Sequence, residues 1–196
     1  MESLVPNWVL KLDDVENKTV KEIFKKRKKP YTEDAMIEIL KSQTSKTDIY
    51  WAILALREVG TVESIEYLKN IVLYKNMDIQ ATSVLTIAKL ANGTENEFLG
   101  KLLLEKEFKQ KWYAMVAIFY KPDKKPLPYV LEYGVKTIKN CKNMNDAGEL
   151  IITYLARYAP ENEQSQKIFA KVNKDFENLS PFGQKCLREE FPKIFK

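Results

Sequence analysis

Apolar residues recur along this chain at three- and four-residue spacing, and no convincing stretch alternates with a period of two. The pattern predicts helices, and the polar punctuation between the apolar runs places their ends. Thr32 stands before Glu33–Leu40 as an N-cap with an acidic first turn. Asp48 heads Ile49–Val59, and Gly60 follows as a stop. Thr61 is positioned to cap a helix carrying Ile65, Leu68, Ile71, Val72 and Leu73. Asp78 opens the next, which ends at Asn92-Gly93. Thr94-Glu95-Asn96-Glu97 fits a capping box ahead of Phe98, Leu102, Leu103 and Leu104. Lys109–Tyr120 is strongly apolar and is stopped by Lys121-Pro122. Pro126 and Pro128 suit the start of a helix, where missing amide donors cost little. Asn145 or Asp146 caps a helix through Tyr158, and Ser180-Pro181 starts a last one to about Phe191. The fold class expected is all-α.

These helices fall into pairs that resemble one another. Ala52-x-x-Ala55-Leu56-x-x-Val59 aligns with Val84-x-x-Ile87-Ala88-x-x-Ala91 at a shift of 32 residues. Ala114-x-x-Ala117-Ile118 follows 30 later, and Ile151-x-x-Tyr154-Leu155-x-x-Tyr158 after another 37. Small residues on one stripe let the next helix approach closely, with Leu or Ile filling the groove. One pair cannot bury its own stripe, so stacking must supply the core.

The stretch from Trp51 through Gly60-Thr61 to Leu68 resembles a HEAT-like repeat of the bilin-lyase type. The Gly93-Thr94 segment is similar, and the likeness covers about residues 33–160. It implies a right-handed α-α superhelix, a HEAT-like or ARM-like solenoid of about five helix pairs. Residues 1–196 would form one domain, with an irregular segment at 1–17 and stacked pairs over 18–196. The Arg that usually opens the second helix of such repeats is replaced here by Ile49, Ala81, Lys111 and Gly148, so an Asp–Arg ladder between repeats should be mostly absent.

Composition narrows the chemistry more than it narrows the fold. The 196 residues contain no His, which removes the commonest general base and metal ligand and every His-dependent triad. Two Cys, Cys141 and Cys186, cannot make a Cys-rich zinc site, and reduced thiols are expected. No phosphate-cradling glycine motif occurs, and neighbouring acids such as Asp13-Asp14 point apart on a helix. No catalytic residue, metal or cofactor is therefore assigned. The first residues lack the basic start and apolar core of a signal peptide, and no run is long enough for a membrane span, so a cytoplasmic protein is expected.

The net charge is +5, from 28 Lys and only 4 Arg against 27 Asp+Glu. Lys supplies unspecific attraction, whereas bidentate phosphate or guanine recognition needs the guanidinium fork. The run Lys25–Lys29 suits either a solvated helix end or an acidic contact. Lys121, Lys124, Lys125, Lys136, Lys139 and Lys142 would make one positive region around the Pro-rich connection.

In HEAT-like solenoids the second helix of each pair lines the concave surface. By that resemblance the lining helices here would be about 48–59, 78–91, 108–120, 146–158 and 181–191, and they carry the aromatic clusters. The candidate partner-binding residues are Tyr50, Trp51, Arg57, Lys111, Trp112, Tyr113, Tyr154 and Arg157. Rings anchor interfaces at low entropic cost, although most aromatics at helical spacing pack in the core. Tyr50 and Trp112 lie off the packing stripe and are the stronger candidates. The expected function is a non-enzymatic protein-binding module, either a scaffold or a dedicated inhibitor of the immunity type, facing an acidic protein surface. The alternative is a nucleic-acid-binding HEAT-like protein, with a kinship to DNA alkylation-repair glycosylases as its enzymatic form.

Overall fold

The computed structural model describes residues 15–43 and 45–195, and side chains from residue 19 onward. Among them there are eleven α-helices and no strand. In chain order they are α1 (Val15–Lys26), α2 (Glu33–Ser42), α3 (Lys46–Val59), α4 (Ser64–Ile71), α5 (Met77–Ala91), α6 (Asn96–Leu104), α7 (Lys111–Tyr120), α8 (Leu127–Thr137), α9 (Gly148–Tyr158), α10 (Glu163–Lys174) and α11 (Pro181–Glu190). The irregular segment expected at 1–17 lies, up to residue 14, outside the described residues, and α1 already begins at Val15.

Successive helices pair as α2/α3, α4/α5, α6/α7 and α8/α9, and α10, which packs on α8 and α9, and α11 follow in the chain. The second helices stack on one another in sequence, α1 on α3, α3 on α5, α5 on α7 and α7 on α9. In the other layer α2 lies on α4, α6 on α8 and α8 on α10. This is the packing of a helical-repeat superhelix, with each repeat covering its neighbour's apolar flank. The small-residue stripe does what its spacing implies. Ala52, Ala55, Val84, Ile87, Ala114 and Ile151 are all fully buried in one continuous core that runs from Val20 to Phe195. Gly134 on α8 extends the same logic: a Cβ there would stand 3.0 Å from Ile151 of α9. The central helix α5 is buried on every side from Ile79 to Ala88.

Several helix ends match the sequence reading. Thr32 accepts from the Ala35 amide, Ser180 from Gly183, and Gly60 and Asn92 close the C-termini of α3 and α5. Others differ for a physical reason. Asp48 and Asp78 sit inside the first turns, where they complement the helix dipole, and the caps are Ser45 and Asn76. The capping box at Thr94 does not form. That hydroxyl donates back to the Ala91 carbonyl at 2.9 Å, closing α5, and α6 starts at Asn96 without a side-chain cap. Thr61 does not cap α4 either: it stands three residues before Ser64, its amide and hydroxyl donate to Glu33, and its hydroxyl oxygen accepts from the Glu63 amide at 3.2 Å. Neither Asn145 nor Asp146 caps α9. Helix α10, capped by Asn162, is one the sequence reading did not delimit.

In place of an Asp–Arg ladder, other polar side chains join the repeats. Glu33 accepts from the Thr61 amide at 2.7 Å and from the Ser64 hydroxyl at 2.5 Å, so its carboxylate serves the start of α4. Glu149 does the same for α11, taking the Ser180 amide at 2.8 Å and hydroxyl at 2.9 Å. Gly183 makes room for it, since a Cβ there would meet that carboxylate at 2.6 Å. Arg57 Nε donates to Thr86 Oγ1 at 3.0 Å, and Thr86 donates on to the Ile53 carbonyl at 3.3 Å. Gln80, 3% exposed, is saturated: its amide nitrogen donates to the Tyr74 and Glu107 carbonyls and its oxygen accepts from the Lys109 amide at 2.8 Å.

Candidate functional site

Along the layer of second helices the bulkiest partly exposed side chains are aromatic. Tyr50 and Trp51, in the second turn of α3, have their rings edge to face at 5.2 Å. Trp112 and Tyr113 open α7 in the same way at 4.9 Å. All four are half-buried and pack against the core with part of each ring left to solvent. Helix α5 separates the two pairs, placing them about 16–20 Å apart at ordinary helix spacing.

The remaining candidates divide. Tyr154 is a correction: it is fully buried, and its hydroxyl donates to the Asp123 carbonyl at 2.6 Å, which makes it a core residue that closes the α7–α8 connection. Burial pushes its pKa far up, with the neighbouring Tyr158 and Asp123 adding to the effect. Arg57 is likewise 6% exposed and is used between α3 and α5, so it leaves the contact set as well. Arg157 is exposed. It pairs with Glu190 at 2.7 Å and lies 5.8 Å from the Phe119 ring centre, so α7, α9 and α11 meet around it. The half-buried Tyr158 completes that cluster at 4.7 Å from Tyr154. Sequence periodicity had no means of telling Tyr154 from Tyr158, since both lie on the same flank of α9.

Lys111 is not on this face. Its ammonium donates to the Leu102 carbonyl at 2.7 Å and the Glu105 carbonyl at 2.6 Å, satisfying the C-terminal end of α6 at the edge of the array.

The charge clusters also resolve. Arg27 and Lys29 both pair with Asp48, and Lys21 pairs with Glu58. Arg27 and Lys29 of the basic run, together with Lys21, therefore tie α1 and its exit to α3. The six lysines expected to form one positive region stand in two groups. Lys121, Lys124 and Lys125 precede α8, and Lys136, Lys139 and Lys142 lie at its far end, about 16 Å away along an 11-residue helix. The two cysteines are buried and not bonded to each other, and burial pushes the Cys141 thiol up to about 11. Among the described residues no cluster of acids and thiols could hold a metal, and no helix is long and apolar enough to cross a membrane.

No protein-family model, no curated protein and no solved structure matches this chain.

Proposed function

We propose that the chain is a non-enzymatic protein-binding module, a scaffold or a dedicated inhibitor of the immunity type, that grips a protein partner on its layer of second helices. The observation that carries this reading is the placement of Tyr50, Trp51, Trp112, Tyr113 and Tyr158. They stand half-buried on α3, α7 and α9, and all but Tyr158 lie off the mainly small and aliphatic stripe that holds the array together. Packing therefore does not need all of these rings, and partly exposed aromatics are what interfaces use as anchors. The resemblance to HEAT-like repeats supports the same reading, because stacked repeats present an extended and pre-ordered surface. The positive balance of residues 101–196, 18 Lys+Arg against 12 Asp+Glu, suits a partner with an acidic surface.

The test is affinity capture from the native host, with and without nuclease, using the wild-type chain and Trp112→Ala. The expected result is a partner that survives nuclease, is lost with Trp112→Ala, and is lost without any change in helical content by circular dichroism. Capture that nuclease abolishes, with retention on heparin that collapses between about 50 and 200 mM salt, would favour the nucleic-acid reading instead. Unfolding of Trp112→Ala would show that this ring is structural, and the same measurement on Trp51→Ala then decides.

A further inference from the structure

Where α6 hands over to α7, at the edge of the array, there is a cleft of about 480 Å³. Its walls are apolar, from Leu103, Leu104, Phe108 and the Tyr133 ring, and Lys111 and Lys136 stand among them. That volume falls within the range of small-ligand pockets. The Lys111 ammonium is 5.4 Å from the Phe108 ring centre and 5.8 Å from that of Tyr133. Of its three donors, two are spent on the Leu102 and Glu105 carbonyls. Among the described residues no carboxylate pairs with it. The side chain is thus fixed by two bonds, half-buried, cationic and left with one uncommitted N–H beside an apolar wall. Burial draws its pKa down to about 8; the Glu105 charge opposes this and Lys109 adds to it. Such a cation gains more from an anion than a solvated surface lysine does, because its charge is already partly stripped of water.

We propose that this cleft binds a carboxylate carried on an apolar body, the anion taking the third N–H of Lys111 and the body lying against Leu103, Phe108 and Tyr133. A single fixed donor suits a carboxylate, whereas a phosphate, which Lys also binds as a point charge, is held best by several donors at once. Glu105 is the only acid in the lining, against Lys106, Lys109, Lys111 and Lys136. The same chemistry serves a free aromatic acid or an acidic side chain of a bound protein beside an apolar residue.

The site goes beyond the protein-binding reading, because a free acid would fill it with no partner present. The experiment is a titration of the ¹⁵N-labelled full chain with phenylacetate, following the amides of 103–113 and 133–137. Phenylacetamide, inorganic phosphate and a capped Phe-Glu dipeptide serve as comparators. Phenylacetate should give saturable shifts, and its neutral amide and phosphate should bind at least about tenfold more weakly. Raising the pH from about 6.5 to about 9 should weaken phenylacetate about tenfold as the Lys111 ammonium discharges. The other charged or titratable groups that line the cleft are Glu105, Lys106, Lys109, Lys136 and Tyr133, whose phenol burial pushes up. Lys111→Met should abolish the shifts in a folded chain. Saturation by the dipeptide alone, with the same pH and Lys111 dependence, would assign the carboxylate to a partner's side chain and uphold the site. Equal binding of acid and amide, absence of saturable shifts from every carboxylate probe, or full binding by a folded Lys111→Met would overturn it. The acid–amide comparison needs no variant and decides even if Lys111→Met does not fold.

Discussion

Gln80 offers the sharpest test of how the repeats are held in register. Its amide joins three backbone groups that belong to two different connections, Tyr74 before α5 and Glu107 and Lys109 before α7. Replacing it with Leu keeps the volume roughly constant and removes all three bonds. Leu leaves two carbonyls and one amide unpaired, and at about 1 kcal/mol each, the low end of the range for groups only partly buried, the loss is about 3 kcal/mol. Burying the new apolar surface returns about 1 kcal/mol, since the site is almost closed to solvent, leaving a net cost of about 2 kcal/mol. For a chain of this size that corresponds to a fall in Tm of about 4–8 °C, read by circular dichroism, with a matching drop in the urea midpoint. Gln80→Glu separates hydrogen bonding from shape. A carboxylate can still accept from Lys109, but it has no proton for the two carbonyls and turns both contacts repulsive. It should be less stable than Gln80→Leu at neutral pH and recover partly in acid, where protonation restores one donor. A Gln80→Leu chain melting within about 1 °C of wild type would refute the reasoning. So would a Gln80→Glu chain with the same pH profile as Gln80→Leu.

Two further outcomes follow from the packing and the polar joints. Ala55→Arg and Leu56→Asp each bury an unpaired charge at a position with no solvent exposure, and each should cost about 4 kcal/mol or more and unfold much of the array; unchanged melting would contradict the repeat register. Partial burial pushes the Glu33 carboxyl up, but hydrogen bonds from Ser64 and Thr61 outweigh it and hold its pKa below the ordinary 4.5. A folded-state pKa lowered in this way contributes stability that is present above about 4.5 and lost as the pH falls through the lower folded value. The stability gap between wild type and Glu33→Gln should therefore narrow between neutral pH and about pH 3, and a gap independent of pH would show that the carboxylate charge plays no part.

The sequence made the helices legible because the signal that forms them is local. Ala52, Ala55 and Leu56 are spaced for one face, and that face is the buried one. Caps were legible where a single residue has no competing use, as at Thr32 and Ser180, and not where a second partner takes it. Thr61 and Thr94 both look like caps, but the helices that follow start only at Ser64 and Asn96, and the two hydroxyls donate to Glu33 and to the Ala91 carbonyl. Asp48 and Asp78 misplaced two helix starts by two or three residues, because an acid favours the first turn whether or not it is the cap. The clamps at Gln80 and Glu149 are not legible for a different reason: all their partners but Tyr74 lie about one repeat away, in connections without periodicity. Gln80 did leave a trace, as a lone amide before the small and apolar run of α5. Tyr154 and Tyr158 show the limit for the site, since helical spacing gives the direction of a ring but not the depth of the groove that receives it.

The polar joints described above, Glu33 to Ser64, Arg57 to Thr86, Gln80 to Lys109 and Glu149 to Ser180, each reach only 29 to 31 positions along the chain. A molecule fastened at so short a reach does not have to wait for its C-terminus. As the polypeptide leaves the ribosome, each clasp has both halves available once one more hairpin has emerged, so the array can close from its leading end during synthesis and expose no more than about one hairpin's greasy flank at a time.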